Sequence, residues 1–175
     1  MAYQKLQASS AIQVVPADAV NIPNPAAVAA NGSTDADGRA TNQLINSAAT
    51  FLDGSVKRGD IIYASTGGTN DWTLAAIVLN IVSNTTLDID SPSTGAGTLF
   101  NTGLTYRIFS QADNPQNGCC LYVGDVTGGT DLEILTAEGN DKIMFKGVNA
   151  GQFIPVNVLR VYRTNTTAAS IVALW

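Results

Sequence analysis

Short runs of apolar residues, separated by turn-forming residues, dominate the chain from about residue 42 onward. The run Leu87-Asp88-Ile89-Asp90 alternates apolar and polar residues, a period of two that is typical of a strand with one wet face. No stretch of ten or more residues shows the periodicity of an amphipathic helix. The pattern therefore predicts an all-β chain built from short strands.

The predicted strands fall into two clusters. Those of the first cluster span residues 50–52, 60–64, 72–82, 85–90 and 104–109, and predict a small barrel or sandwich. Those of the second span residues 119–124, 131–137, 142–146, 156–162 and 170–175, and their spacing suits an antiparallel sandwich. We therefore expect antiparallel β-sandwich or barrel modules, at 41–112 and 113–175, joined by a polar linker at 111–118.

Residues 1–40 have a different pattern and predict an extended N-terminal arm. The apolar positions at 11–16 alternate only weakly, and Pro16, Pro23 and Pro25 each lack the amide donor that a central strand needs. We expect this arm to lie over the surface or to reach a neighbouring molecule, with its small apolar residues docked in a groove.

Composition narrows the classes of function. Hydrophobic residues make up 45% of the 175 residues and charged residues only 13%, so much of the surface is neutral and loses little hydration when it meets a neighbour. The net charge is -5 and the nine Lys and Arg residues are scattered, which argues against a nucleic-acid partner. No apolar run is long enough to cross a bilayer and the first residues lack a signal-peptide core, so we expect no membrane partner and synthesis in the cytoplasm.

The side chains offer little catalytic chemistry. Because the chain has no histidine, the commonest general base and metal ligand are missing. Cys119 and Cys120 are adjacent and should point to opposite faces of a strand as free thiols. The sequence Asp35-Ala36-Asp37-Gly38 resembles the start of a calcium loop, but Leu44 stands where the bidentate Glu is needed. We therefore expect no cofactor and no metal.

Three other features have both a structural and a functional interpretation. Asp88 and Asp90 share a strand face, as an acid/base pair of a polysaccharide-degrading enzyme would, although a hydrated strand face explains them, and Glu133 and Glu138, as well. The glycine-rich residues 66–69 lack the ending of a phosphate-binding loop and predict a turn. Most aromatic residues fall in apolar strands and predict core positions, whereas Trp72, beside this turn, is the candidate for an exposed binding ring.

The last third of the chain carries a more specific pattern. Residues 121–124 (LYVG), 151–158 (GQFIPVNV) and 171–175 (IVALW) occur in an order that resembles the head spike base proteins of tailed bacteriophages and gene transfer agents. The likeness covers about residues 119–175, and residues 56–108 look more loosely like a β-barrel module of phage structural proteins. The resemblance implies an all-β module that forms rings or clusters on a capsid, and it brings no catalytic residues.

Resemblance and composition together predict a virion structural protein, a capsid decoration or spike-base component, rather than an enzyme. Since unpaired strand edges and an apolar terminus favour aggregation, we expect a homo-oligomer, a trimer or pentamer, that also contacts the major capsid protein. The alternative is a receptor- or glycan-binding module of a tail or fibre, with Trp72 as its ring. The expected subunit-interface residues are Phe153, Pro155, Ile171, Val172, Leu174 and Trp175.

Overall fold

The computed structural model describes residues 8–38, 41–65, 72–90, 100–111, 118–139 and 141–175. Over these ranges the chain forms strands and turns and no α-helix, which confirms the predicted all-β class. The strands, in chain order, are β1 (Ala11–Gln13), β2 (Val28–Ser33), β3 (Gln43–Ile45), β4 (Ile61–Ser65), β5 (Leu74–Ser83), β6 (Thr86–Ile89), β7 (Thr105–Phe109), β8 (Cys119–Asp125), β9 (Leu132–Thr136), β10 (Lys142–Phe145), β11 (Gln152–Val161) and β12 (Ala169–Leu174).

The strands form two antiparallel six-stranded sheets. One, which we name the C-terminal sheet, has the order β1-β12-β8-β11-β9-β10. The other, the barrel sheet, has the order β2-β7-β4-β5-β6-β3 and curls so that its two ends approach: the Asp35 amide donates to the Ile45 carbonyl at 3.2 Å. The predicted sandwich and barrel architecture is therefore confirmed, while the predicted turn at 66–69 and most of the predicted linker lie outside the described residues.

Two apolar cores explain why β4 is buried along its whole length. Ile62 and Ala64 point into the hollow of the barrel sheet, where they join Leu44, Leu87 and other buried residues. The odd-numbered residues of β4 point out of the barrel and pack against the C-terminal sheet. Together with residues of both sheets they form a second core, which includes Ile61, Tyr63, Ala75, Phe109, Leu121, Val123, Ile154 and Ile171. Strand β4, in the middle of the barrel sheet, is thus buried on both faces, whereas the C-terminal sheet is buried on one.

The N-terminal region contributes to both sheets. Strand β1 pairs with β12, and β2 pairs with β7. We name residues 8–22 the N-terminal segment; five of its side chains are buried in the core between the sheets, Ile12, Val14, Ala17, Val20 and Ile22. The weak alternation at 11–16 thus marks a strand whose even-numbered residues face the core, and the expectation that this region lies over the surface does not hold for these residues.

Some predicted strand bounds are wrong. Residues 50–52 form a turn instead of a strand, because the Phe51 amide donates to the carbonyl of Asn84 while its ring enters the barrel core. Strand β11 begins at Gln152, four residues before its predicted start, and contains Pro155. The pairing of β11 with β8 shifts register between Ile154 and Val158, an irregularity that accommodates a residue with no amide donor.

A close approach of two strands accounts for the glycine in the LYVG sequence. A Cβ atom at Gly124 would lie 2.7 Å from the carbonyl oxygen of Ser170, so β8 and β12 can pair here only if residue 124 lacks a side chain. Strands β8 and β12, which contain two of the sequences that resemble spike base proteins, are direct neighbours in the C-terminal sheet.

Candidate functional site

The outer face of the C-terminal sheet carries a group of apolar side chains on β12, β8 and β11. Val172 lies directly opposite Tyr122, and Tyr122 lies opposite Phe153, so the three side chains form one row across three strands. Leu174 lies opposite Cys120 in the next row. We name this group the outer patch: Cys120, Tyr122, Phe153, Pro155, Val172 and Leu174.

Phe153 is the most prominent member of the outer patch. It leaves 59% of its surface exposed, although it is a large apolar residue in a regular strand. Its ring meets that of Tyr122 edge to face, with the ring centroids 5.3 Å apart. Single exposed apolar residues are common, but an aromatic pair flanked by further aliphatic side chains is a surface that gains free energy when a partner covers it.

The outer patch contains no charged side chain, which matters for its chemistry. A partner that covers it strips water from rings, aliphatic groups and a thiol, and from no ionised group. Such a surface binds through shape and apolar area, and its polar side-chain groups are the Tyr122 hydroxyl and the thiol of the half-buried Cys120.

Four of the six predicted interface residues lie on the outer patch: Phe153, Pro155, Val172 and Leu174. Ile171 does not, because it is 2% exposed and belongs to the core between the sheets. Trp175 also packs against that core, and its backbone exchanges hydrogen bonds with Ser9 and Ser10. Alternate residues of β12 face opposite sides of the sheet, and Ile171 faces inward.

Trp72 is buried, which corrects its prediction as an exposed ring. Only 5% of the residue is accessible. Its ring lies 6.5 Å from that of Tyr63 between centroids, and the Arg107 guanidinium carbon sits 5.3 Å from the Trp72 centroid. A shallow cavity of about 260 Å³ does reach this tryptophan, but the N-terminal segment and residues 168–171 line most of its wall.

The candidate acidic residues are held by structural hydrogen bonds. The amides of Gln43 and Asn80 donate to Asp88, at 3.0 and 3.5 Å, and the backbone amide of Ile77 donates to Asp90 at 2.8 Å. Burial raises the pKa of the Asp90 carboxyl, and the bond from Ile77 opposes that rise. These contacts tie β6 to its neighbours and account for both carboxylates without a substrate.

Glu133 is not on a hydrated face, as the sequence suggested, but is 7% exposed. The Asn165 side-chain amide donates to its Oε1 atom at 3.1 Å, and the Lys142 Nζ atom lies 3.7 Å from its Oε2 atom. Lys142 in turn sits over the ring of Tyr162, with Nζ 4.1 Å from the centroid. This cluster joins β9, β10 and the loop after β11.

Sequence reasoning missed the polar anchor of the N-terminal segment. The Arg160 guanidinium donates to the Asn21 Oδ1 atom from two nitrogens, at 2.7 and 2.9 Å, and to the Asp18 carbonyl at 2.9 Å. The Thr164 hydroxyl donates to the Asp18 carboxylate at 2.6 Å and is the largest cause of the lowered pKa of Asp18. Since the partners are about 140 residues apart in the chain, no local pattern could have revealed them.

The two cysteines are free, as predicted, and differ in environment. Cys119 is buried, and loss of hydration raises the pKa of its thiol to about 12. Cys120 is half-buried on the outer patch. Cys119 therefore acts as a small apolar core residue, and its thiol is not a nucleophile at neutral pH.

Comparison with protein-family models, with curated proteins and with solved structures yields no match. The residues that the structure describes include no helix long and apolar enough to cross a membrane. Within the same ranges, no three cysteine or acidic side chains are grouped so that they could hold a metal ion. The outer patch and the sequence resemblance are therefore the features of this chain that bear on its function.

Proposed function

We propose that this protein is a structural component of a tailed-phage particle, a capsid decoration or head spike-base protein. It works by association with copies of itself, as a trimer or pentamer, and with the major capsid protein. It is made in the host cytoplasm, carried on the virion, and performs no catalysis.

The arrangement of the resembling sequences supports this proposal. Residues 121–124 lie on β8, residues 152–158 on β11 and residues 171–174 on β12. These three strands are consecutive in the C-terminal sheet, in the order β12-β8-β11. The three sequences that resemble spike base proteins therefore lie on adjacent strands, as expected if they form one packing module.

The outer patch is the single observation that carries the proposal. It exposes Phe153 on the face of the C-terminal sheet opposite to the core, where nothing in the described chain requires an aromatic residue. An assembly in which copies bury this face removes the exposed rings from water. Closed symmetry also limits growth of such contacts into open aggregates.

The glycan- or receptor-binding alternative loses its main support. Its candidate ring, Trp72, is buried, and the cavity beside it is lined mainly by small and aliphatic residues rather than by exposed rings. In the described part of the chain no observation favours sugar binding over self-association, so we do not propose it.

Particle incorporation tests the proposal directly. Virions are purified from cells in which the genomic copy of the gene carries Phe153→Glu, and the chain is quantified in them by mass spectrometry and located by cryo-electron microscopy. We expect the unmodified chain in symmetric copies on the head and the Phe153→Glu chain to be lost from particles.

Leu52→Glu is the matched control for this experiment. Leu52 is 58% exposed, almost the same as Phe153, but it lies in a turn of the barrel module and away from the outer patch. We expect the Leu52→Glu chain to be incorporated normally. Particles that contain no unmodified chain would contradict the proposed function, and equal incorporation of both variants would contradict the role of the outer patch.

A further inference from the structure

We propose that in the assembled form the N-terminal segment is exchanged, so that residues 8–22 of one copy occupy the groove on the C-terminal sheet of the next. The proposal rests on the proposed self-association and adds how the copies are linked. The groove's occupant is already known from this chain, since its own segment fills it; an identical segment from a second copy makes the same contacts.

The groove recognises the segment through both its backbone and its side chains. The amides of Val14, Ala17 and Ile22 donate to carbonyls of β12 and β11, at 2.8, 3.0 and 2.7 Å. Apolar side chains of the segment fill the core between the sheets. The segment therefore passes from one strand of the C-terminal sheet to another and closes that end of the core.

Hydrogen bonds from β11 and from the loop after it make the groove specific for this segment. Arg160 makes three hydrogen bonds to it, two to Asn21 and one to Asp18. The backbone amides of Arg163 and Thr164 donate to the Asp18 carboxylate, at 3.0 and 3.2 Å. These charge-assisted hydrogen bonds make the groove specific for this segment. They form in the same way whether the segment belongs to the same chain or to another copy.

The connection between the segment and the rest of the chain suits a hinge. Residues 23–27, which we name the hinge, read Pro-Asn-Pro-Ala-Ala, and the two prolines stiffen the backbone and lack donors. Within the hinge the Ala26 amide donates to Asn24 Oδ1 and the Ala27 amide to the Asn24 carbonyl, and the Ala27 carbonyl accepts from the Ser110 amide at 2.7 Å where the hinge meets β2. An open cavity of about 260 Å³ borders the hinge. A short connection favours exchange over closure.

A pair of engineered cysteines distinguishes exchange from closure. Gln13 and Val172 are directly opposite each other on β1 and β12, a separation of about 5 Å between Cα atoms that a disulfide accepts. The variant Gln13→Cys/Val172→Cys, in a Cys120→Ala background, is isolated as its oligomer by size exclusion and oxidised. On a denaturing gel without reductant we expect covalently linked multimers.

The control pair is Asp125→Cys/Ala169→Cys, which joins β8 to β12. Neither strand belongs to the N-terminal segment, so this disulfide must stay within one chain and run as a monomer. If the oxidised oligomer of the test pair also runs only as a monomer, exchange is wrong and self-association stands. If the unmodified protein forms no oligomer even at high concentration, exchange and the proposed self-association are both wrong.

A change of hinge length tests the proposal without cysteines. Insertion of Gly-Ser-Gly-Ser between Pro25 and Ala26 lengthens the hinge, which favours closure within one chain. We expect the insertion to shift the population from oligomer toward closed monomer, measured by light scattering at matched concentration. An unchanged oligomer fraction would contradict a role of the hinge in exchange.

Discussion

Replacement of Phe153 by alanine should weaken association far more than it weakens folding. A phenylalanine side chain offers roughly 200 Å² of apolar surface, and 59% of this residue is exposed in the single chain. About 120 Å² per copy is therefore available for burial in an interface, which is worth about 3 kcal/mol at roughly 25 cal/mol per Å². That figure corresponds to association weakened on the order of 100-fold.

The same substitution removes little from the isolated fold. Phe153 contacts the ring of Tyr122 at 5.3 Å between centroids, an edge-to-face pair worth about 1 kcal/mol. Sedimentation velocity over a concentration series measures association, and urea unfolding measures stability, with Leu52→Ala as the control in both. A Phe153→Ala protein that associates as tightly as the unmodified protein, or that loses several kcal/mol of folding stability, would refute this reasoning.

Three further outcomes follow from the polar contacts and thiols. Arg160→Met removes the anchor of the N-terminal segment and should lower the free energy of unfolding by about 2 kcal/mol, with faster hydrogen exchange in that segment; exchange no faster than in the unmodified protein would contradict the anchor. Because burial raises the pKa of Asp90, its carboxyl binds its proton more tightly in the folded state, so stability falls as pH rises through the range between the unfolded and folded pKa values. Asp90→Asn keeps an acceptor for Ile77 and should be more stable than the unmodified chain at pH 7 but not at pH 3, which urea unfolding at the two pH values checks; equal stability at pH 7 would count against it. Iodoacetamide at pH 8 should modify Cys120 in the folded protein and spare Cys119, whose thiol pKa is raised to about 12, while both react in urea; modification of Cys119 in the folded state, read by peptide mass spectrometry, would overturn this.

The strands that the sequence predicted well are those whose residues alternate. In β6, Leu87 and Ile89 face the core while Asp88 faces outward, and the period of two is visible in the residues themselves. Strand β2 was missed because its sequence, VAANGS, is rich in residues with low strand propensity. It forms because β7, more than seventy residues later, supplies a partner edge.

The errors at the candidate site have a related origin. The run Ile171-Val172-Ala173-Leu174-Trp175 is apolar throughout, so it predicts a strand but does not reveal which residues face the core. Pairing with β1 on one side and β8 on the other decides that Ile171 faces inward. Trp72 is buried for the same kind of reason: residues 13–16 and 168–171, from opposite ends of the chain, meet around it. Contacts of this range leave no local trace in the sequence.

Self-association through the outer patch is the central claim, and the mass of the full-length protein in solution tests it most directly. Size exclusion with light scattering, over a concentration series at neutral pH, should give a single closed oligomer with the mass of three or five 18.2 kDa chains. A mass of one chain at every concentration would contradict the claim.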